Sequence, residues 1–395
     1  MRPLDGVRIV AISQFGAGPY GMMLLADLGA EIIKIEDPAS GGDVSRSVNP
    51  GARDQDSLYF QSLNRNNRCI TLDLRTDDGR EVFNDLIRVS DGLFSNLRGD
   101  LPAKLGLMHD DLASINPAIV CCSLSGFGMT GPRAAEPGYD YLIQAYSGMM
   151  SLTGEPGSPP ARAGVSVVDF SGGIAAALGL VTGILQARQT GKGCDVDVSL
   201  LDTAVSMLNY LAAWSLNSDY HPERLPNSSH PTLYPSQVLK TSDGYLAIMC
   251  AKEKFWDALV DAMDDPAFTR DGRFARFADR YEHRDDLWAE LDRVFITRTT
   301  KDWLSRLRGK VPCAPVNSVE EALRDEHVLA RNMVVEVDHP VFGTIRQTGN
   351  PIKFGGADEA YEPAAGLGFD NEAVLGDVLG YSPERIAELR SSGAI

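Results

Sequence analysis

Along the first half of the chain, short aliphatic or β-branched runs alternate with stretches whose apolar positions recur every three or four residues. Residues 7–13, VRIVAIS, form a run of the buried-strand kind. Pro19 to Leu28 carry helical spacing, with the proline near the first turn where its missing N–H does no harm. Gly29 closes that helix and residues 30–36, AEIIKIE, start a second strand. The opening is thus a strand–helix–strand unit of the kind that builds parallel sheets with right-handed crossovers. Residues 66–74, 91–97 and 118–124 read as further strands. Helices are predicted from Gly79 to Val89, behind a cap formed by Thr76, Asp77 and Asp78, and around Asp110 to Ile115. This alternation predicts an α/β fold, a Rossmann-like large domain with a doubly wound parallel sheet.

The short β-branched run Val165–Val168 precedes Asp169, and Ser171, Gly172 and Gly173 lead into a helical pattern from Ile174 to Arg188. That reading puts Asp169 at a strand-to-helix junction. Open α/β sheets collect their ligands at such edges, where backbone N–H groups such as those of Gly172 and Gly173 face an anion. Asp and Ser are also preferred N-caps, so the pattern alone favours a capping role for Asp169 or Ser171. A turn at Gly191–Gly193 leads into a strand at 194–198 and helical spacing from Leu200 to Leu216. Residues 217–236 are rich in Pro, Ser and Asn without period, as in a linker. Beyond them come a strand at Tyr245–Met249 and amphipathic helices at Lys254–Met263, Arg284–Val294 and Thr300–Leu307. Two strand-like runs within 333–354 and a helix at Pro383–Arg390 follow. The expected organisation is a large domain over 1–205 completed by 326–395, a linker at 206–236, and a smaller α+β domain at 237–325.

Composition narrows the chemistry. At 395 residues the chain exceeds the ~250–300 at which single cores stop growing, which favours two domains. With 37 basic and 54 acidic residues, the net charge of −17 repels nucleic-acid phosphates and anionic membranes, so neither is expected as a partner. No apolar run reads as a membrane span, and no signal peptide stands at the N-terminus. The six cysteines show no CxxC or zinc-ribbon spacing, which predicts reduced thiols in a cytoplasmic protein. The six histidines are scattered without metal-ligand spacing, so no metal is expected. Gly16, Gly18 and Gly21 spell GxGxxG after the first strand, with Glu36 twenty residues past Gly16, so a NAD-dependent dehydrogenase is one reading. Against it, Pro19 removes an N–H from the turn that would hold pyrophosphate.

A series of segments in order, LDGVRIV, LGAEIIKIE, LNRNNRCITLDL, SNLRGD, SGFGMTGP, GYDYLIQAYSGMMSLTG, VVDF, RQTGKGCDVDVSLLD, VPCAPVNSVEEAL, DHPVFG and LGYSPERIAEL, resembles the class III CoA-transferases nearly end to end. That family includes formyl-CoA and carnitine-CoA transferases and, as a divergent branch, α-methylacyl-CoA racemase. The resemblance implies a CoA-transferase that moves CoA from an acyl-CoA, with succinyl-CoA the candidate donor, to a free carboxylic acid. It implies Asp169 as the nucleophile, working through an aspartyl anhydride and an aspartyl-CoA thioester, with CoA as substrate and no permanently bound cofactor. It places CoA contacts on Gly16, Ala17, Leu72, Arg75, Asn96, Leu97, Arg98 and Lys104, with Tyr139 near the acyl group. It also implies a homodimer of two interlocked ring-shaped chains. The sequence departs from formyl-CoA transferases in having Gly16 in place of a glutamine, Asp37 in place of an arginine, and no glycine run near His230–Ser242. A racemase or isomerase of the same superfamily is the alternative; that branch has histidine where Tyr139 stands.

Overall fold

The computed structural model describes residues 1–265 and 272–395, which divide into two units. The first comprises Met1–Met149, Ala163–Leu216 and His327–Ile395; the second comprises Met150–Arg162 and Asn217–Glu326.

Six parallel strands form the centre of the first unit. They are β1 (Arg8–Ile12), β2 (Glu31–Glu36), β3 (Arg68–Thr71), β4 (Gly92–Ser95), β5 (Val120–Ser125) and β6 (Cys194–Ser199), in the order β3-β2-β1-β4-β5-β6. The chain winds outward from β1 to β3, then returns to the other side of β1. This is the doubly wound arrangement, whose switch point lies between β1 and β4. Alternate residues face opposite layers, as the period of a strand requires. Ile9, Ala11 and Ile32 join one core with α1 (Ala17–Asp27). Val10, Ile33 and Ile35 join the other with Val82, Phe83 and Leu86 of α3 (Asp77–Arg88). The intervening α2 (Leu58–Asn64) starts at Ser57, whose hydroxyl accepts the Phe60 N–H at 2.9 Å. Further on lie α4 (Asp140–Tyr146), α5 (Val167–Thr190), α6 (Leu200–Met207) and α7 (Asn209–Asn217).

The structure corrects two expectations here. Residues 165–168 form no strand: α5 begins at Val167, seven residues before the predicted Ile174, so Asp169 lies inside the first turn of a helix. The β-branched residues Val167 and Val168 are tolerated there because Val168 is fully buried, and packing outweighs their weak helical preference. Second, an apolar stretch of membrane-spanning length does exist. The 24 residues of α5 have a mean hydropathy of 1.7 in their most apolar window. Ala176, Ala177, Leu180, Ile184 and Ala187 nevertheless place one face of this helix in the sheet core, as in the central helix of a doubly wound domain.

Glycines allow α5 to approach closely. A Cβ on Gly183 would lie 2.7 Å from Val120 Cγ1, and one on Gly179 2.9 Å from Val196 Cγ1. Against α1 the contact is backbone to backbone: a Cβ on Gly173 would stand 2.3 Å from the Ala17 carbonyl, and one on Gly21 2.4 Å from the Gly173 carbonyl.

The second unit contains a three-stranded antiparallel sheet, ordered β7 (Ser236–Lys240), β8 (Tyr245–Met249) and β9 (Cys313–Pro315). It also holds α8 (Glu253–Met263), α9 (Arg284–Phe295) and α10 (Thr300–Leu307). Phe295 and Trp303 stack in its core at 4.3 Å, and the Trp303 indole donates to the Phe295 carbonyl at 2.8 Å. Back in the first unit, β10 (Val334–His339) and β11 (Gly343–Thr348) form a hairpin anchored by His339, whose Nε2 meets the buried Asp56 carboxylate at 3.1 Å. A final helix, α11 (Pro383–Ser391), packs Ile386 and Leu389 into the second sheet core.

Overpacking a site where no atoms can yield costs about 1–3 kcal/mol. Gly173→Ala is therefore expected to lose that much in chemical denaturation, whereas Gly355→Ala, which meets nothing within 4 Å, should leave the midpoint unmoved.

Candidate active site

The sheet's switch point opens onto a cleft of about 420 Å³, lined where β1, β4 and β5 end by Gln14 to Ala17, by Asn96, Leu97 and Arg98, and by Ser125 and Gly126. Tyr139 and Asp169 complete it. Ligands of open α/β sheets bind at such a crevice. A larger cavity, about 880 Å³, lies elsewhere in this unit between residues 54–68 and 339–370, away from these strand ends.

The wall facing Asp169 is the β1–α1 loop, and consecutive residues of it are clamped. The ammonium of Lys34, fully buried in β2, donates to the Ser13 carbonyl and to Asp43 Oδ2, the latter at 2.9 Å. Asn96 accepts the Gln14 N–H at 2.9 Å and donates to the Gln14 carbonyl at 2.7 Å. The Phe15 N–H donates to Asp43 Oδ1 at 3.1 Å, which steadies a non-glycine residue at φ +64°, a conformation costing about 1–2 kcal/mol. Asp43 also accepts the Ser45 N–H and hydroxyl, and its own N–H donates to Glu36. Burial disfavours the charge of Asp43, but Lys34 and Ser45 outweigh it and hold the carboxyl below the ordinary range. Next to it, Arg46 forks onto both oxygens of Glu36 at 2.9 and 2.7 Å, in a pair that is 99% buried.

This clamped loop brings Gly16 against the nucleophile candidate. A Cβ there would lie 3.0 Å from Asp169 Oδ2 and 3.5 Å from the Tyr59 hydroxyl. The three glycines of GxGxxG thus serve close packing: Gly16 against Asp169, Gly18 against Phe94 and Asn96, and Gly21 against Gly173. Glu36, the acidic residue of that supposed fingerprint, is occupied by Arg46 and unable to receive a ribose. Among the described residues nothing donates a hydrogen bond to the Asp169 carboxylate. Burial, and after it the charge of Asp140, push its pKa up to about 7. Gly172 and Gly173 lie in the second turn of α5, with Gly173 facing α1, so they are not the amides that meet this carboxylate. Neither Asp169 nor Ser171 caps the helix. Ser166 stands at the N-cap without a side-chain bond, and the Val168 N–H is taken at 2.9 Å by Asp140.

Of the residues singled out in the sequence, Gly16, Ala17, Asn96, Leu97, Arg98, Tyr139 and Asp169 share this cleft. Three do not line it. Leu72 is 1% exposed in the second core, and its N–H donates to the Glu36 carbonyl, so its side chain faces away from solvent. Arg75 is exposed and paired with Asp73 at 2.7 Å and Asp37 at 3.3 Å. Lys104 shares Asp100 with Arg98, at 2.5 Å from each. The side-chain amide of Asn96 is spent on Gln14, so its direct part is to hold the loop.

Sequence reading passed over Tyr59, Asp43, Lys34 and Gln144. Tyr59, in α2, has its phenol raised by burial, then by the charges of Asp169 and Asp43. One signal was available: Lys34 and Glu36 sit in an otherwise apolar strand of a parallel sheet, where a buried charge demands a partner. Nothing local marked the other three.

The sequence profile of CoA-transferase family III matches residues 4–371. The chain is 36% identical over 363 residues to an acetyl-CoA:oxalate CoA-transferase of Acetobacter aceti, covering 91% of each protein. It is 33% identical over 398 residues to the succinyl-CoA:glutarate CoA-transferase of Mus musculus, covering 100% of this chain and 91% of that one. The crystal structure of a CaiB/BaiF family protein from Brucella suis superposes with a TM-score of 0.84 at 33% identity, over 95% of this chain and 99% of the other. With its six-stranded parallel sheet and a half-buried carboxylate at the switch point, the chain belongs to CoA-transferase family III.

Proposed function

We propose that the enzyme, which as a family III CoA-transferase acts on CoA thioesters, transfers CoA to a small dicarboxylic acid with Asp169 as the covalent nucleophile. The observation that carries this reading is the unbonded Asp169 carboxylate, half-buried in the cleft against a glycine that leaves room for an incoming acyl carbon. An Asp169 oxygen attacks the thioester carbonyl and the C–S bond breaks, giving a mixed anhydride and CoA thiolate. The thiolate attacks the Asp169 acyl carbon, expelling the donor acid and leaving an aspartyl-CoA thioester. The acceptor carboxylate then attacks that thioester, and the thiolate released takes the acceptor's acyl carbon, which frees Asp169.

Each tetrahedral intermediate carries an oxyanion, which needs donors already in place. The first N–H groups of α1, on Ala17 and Gly18, have no partner among the described residues, and this helix begins beside Asp169. We assign them that role. Arg98, Lys104 and Arg75 are read as the partners of the CoA phosphates, exchanging Asp100, Asp73 and Asp37 for a more highly charged ligand. Leu72 then contributes through its backbone, and Tyr139, 60% exposed at the start of α4, reaches toward the acyl group. A phenol there, in place of the imidazole of the racemase branch, favours transfer over α-proton exchange. The relatives named for oxalate and glutarate support a dicarboxylate acceptor, and succinyl-CoA is the donor we favour. No tightly held cofactor enters this scheme. We place the reaction in the cytoplasm, in keeping with six unpaired thiols. We also assign an interlocked homodimer: Ile174, Leu178 and Leu185 leave an apolar stripe exposed along α5, the face that a second copy would cover.

Incubation with succinyl-CoA followed by hydroxylamine should convert Asp169 to a hydroxamate visible by peptide mass spectrometry, and Asp169→Ala should lose transfer by about 10³-fold or more. An adduct on any other residue would overturn the assignment. Sedimentation should give twice the 42.8 kDa chain mass; a monomer would remove the dimer. Because Asp169 has its pKa raised above the unfolded value of 3.8, its penalty is absent below about pH 4. It accumulates as the pH rises toward 7 and is fully present above that. The interval corresponds to about 4 kcal/mol at most, less after solvent screening. Asp169→Asn is therefore expected to melt higher than the parent at pH 8 and equally at pH 4.

A further inference from the structure

Asp140 and Gln144 stand one turn apart on α4, 5% and 1% exposed, and neither lines the cleft. Asp140 engages both of its oxygens: Oδ1 accepts the Val168 N–H at 2.9 Å, and Oδ2 accepts from Gln144 Nε2 at 2.7 Å. The other end of the amide is engaged too, with Gln144 Oε1 accepting the Ala163 N–H at 2.9 Å. The amide can therefore stand only one way round, since turning it over would set donor against donor at Ala163 and oxygen against oxygen at Asp140. The Val168 N–H is a first-turn amide with no acceptor inside its own helix, so Asp140 is a cap supplied by a neighbouring helix. Its charge lies at the amino end of α5, where the helix dipole favours an anion, one residue from Asp169. Ala163 is where the chain re-enters this unit after the 150–162 segment.

We propose that Gln144 is a positioning residue of the transfer reaction: through Asp140 it fixes the first turn of α5 and keeps a negative charge beside the nucleophile. This rests on Asp169 being that nucleophile. The other polar groups facing Asp169 are Tyr59 of α2, with Asp43 behind it, and Tyr139 and Arg98 across the cleft. None of them touches Gln144, so a change at Gln144 reaches Asp169 through Asp140 alone. A leucine at 144 withdraws the donor that holds Asp140 Oδ2 and the acceptor of the Ala163 N–H, so the Asp140 charge is no longer held in place beside Asp169. A glutamate keeps the shape and the acceptor for Ala163, and a proton shared between its carboxyl and the Asp140 oxygen facing it restores the lost donor, so the pair still carries one negative charge.

The test is the pH dependence of kcat/KM for transfer from succinyl-CoA to glutarate, in wild type, Gln144→Leu and Gln144→Glu, with melting temperatures alongside. The wild-type acidic limb is expected near the raised value of Asp169, about 7. Gln144→Leu should move it to lower pH, with kcat down about tenfold and KM for the CoA donor within about threefold, while Gln144→Glu should keep both the limb and kcat near those of wild type. A leucine limb that stays in place, or a glutamate limb that moves with it, would overturn the proposal and leave Gln144 a structural residue. Hydroxylamine trapping separates the two readings. No adduct at Asp169 in the wild type sinks the nucleophile, whereas an adduct in all three proteins with unmoved limbs sinks only the role of Gln144. If the leucine variant fails to fold, Gln144→Asn, whose shorter amide falls short of Asp140, takes its place and should show the same downward shift.

Discussion

Two helices that touch through their backbones set the geometry on which the cleft depends. At Gly21 and Gly173, α1 and α5 come closer than any side chain would permit, and this closeness puts the first turn of α5 beside the β1–α1 loop. Asp169 then lies against Gly16 at the wall of the cleft. The same approach explains why a 24-residue helix is so rich in glycine and alanine, although each interior glycine weakens a helix by roughly 1 kcal/mol relative to alanine. Tyr20 and Phe170, tilted rings with centroids 4.7 Å apart, tie the two helices together one residue from the carboxylate.

Holding the loop on its other side takes charge. Lys34–Asp43 and Arg46–Glu36 are ion pairs almost wholly withdrawn from water, and such pairs add little net stability over apolar residues of equal volume. Their effect lies in what they orient. The hydrogen bonds of Asp43 and Lys34 reach Ser13 and Phe15, and those of Asn96 reach Gln14, so three consecutive residues hang from three side chains. A left-handed phenylalanine persists there because its surroundings fix it more strongly than its own preference resists. Removing one partner would strand a buried charge, which is why this arrangement is difficult to alter piecemeal.

The fold was legible because periodicity is a local property. The apolar runs at 7–13, 30–36 and 118–124 mark strands wherever they pack, and the helices at 254–263, 284–294 and 300–307 emerge nearly residue for residue. The start of α5 was misread for a physical reason: Val165 to Val168 have strand preference, and only burial of Val168 together with a cap from Asp140 makes the segment helical. Both causes are tertiary. Asp169 stood out as a candidate because of the family segments around it, while Asp140 and Gln144, at i and i+4 on a short helix, look like an ordinary surface pair. Their role depends on a backbone N–H that the sequence places 28 residues away.

A carboxylate of ordinary basicity is poorly matched to the proposed chemistry. To expel a thiolate, whose conjugate thiol has a pKa of about 8.5, an aspartate near 3.9 faces a gap of more than four units. Nucleophiles gain reactivity as they become more basic, and the barrier to expelling a thiolate falls as that gap closes. Burial and the Asp140 anion lift Asp169 to about 7, leaving a gap of roughly 1.5 units while keeping half or more of the carboxyl ionised at neutral pH. Raising it further would trade ionised fraction for basicity, and lowering it would make Asp169 the better leaving group of the mixed anhydride, so that the thiolate returns to the donor acyl carbon. Asp169 attacks in the first half-reaction and departs in the second, and a value close to that of the thiolate serves both steps. The position of Asp140 behind α5 is what supplies the charge without placing a second carboxylate in the path of the acyl group.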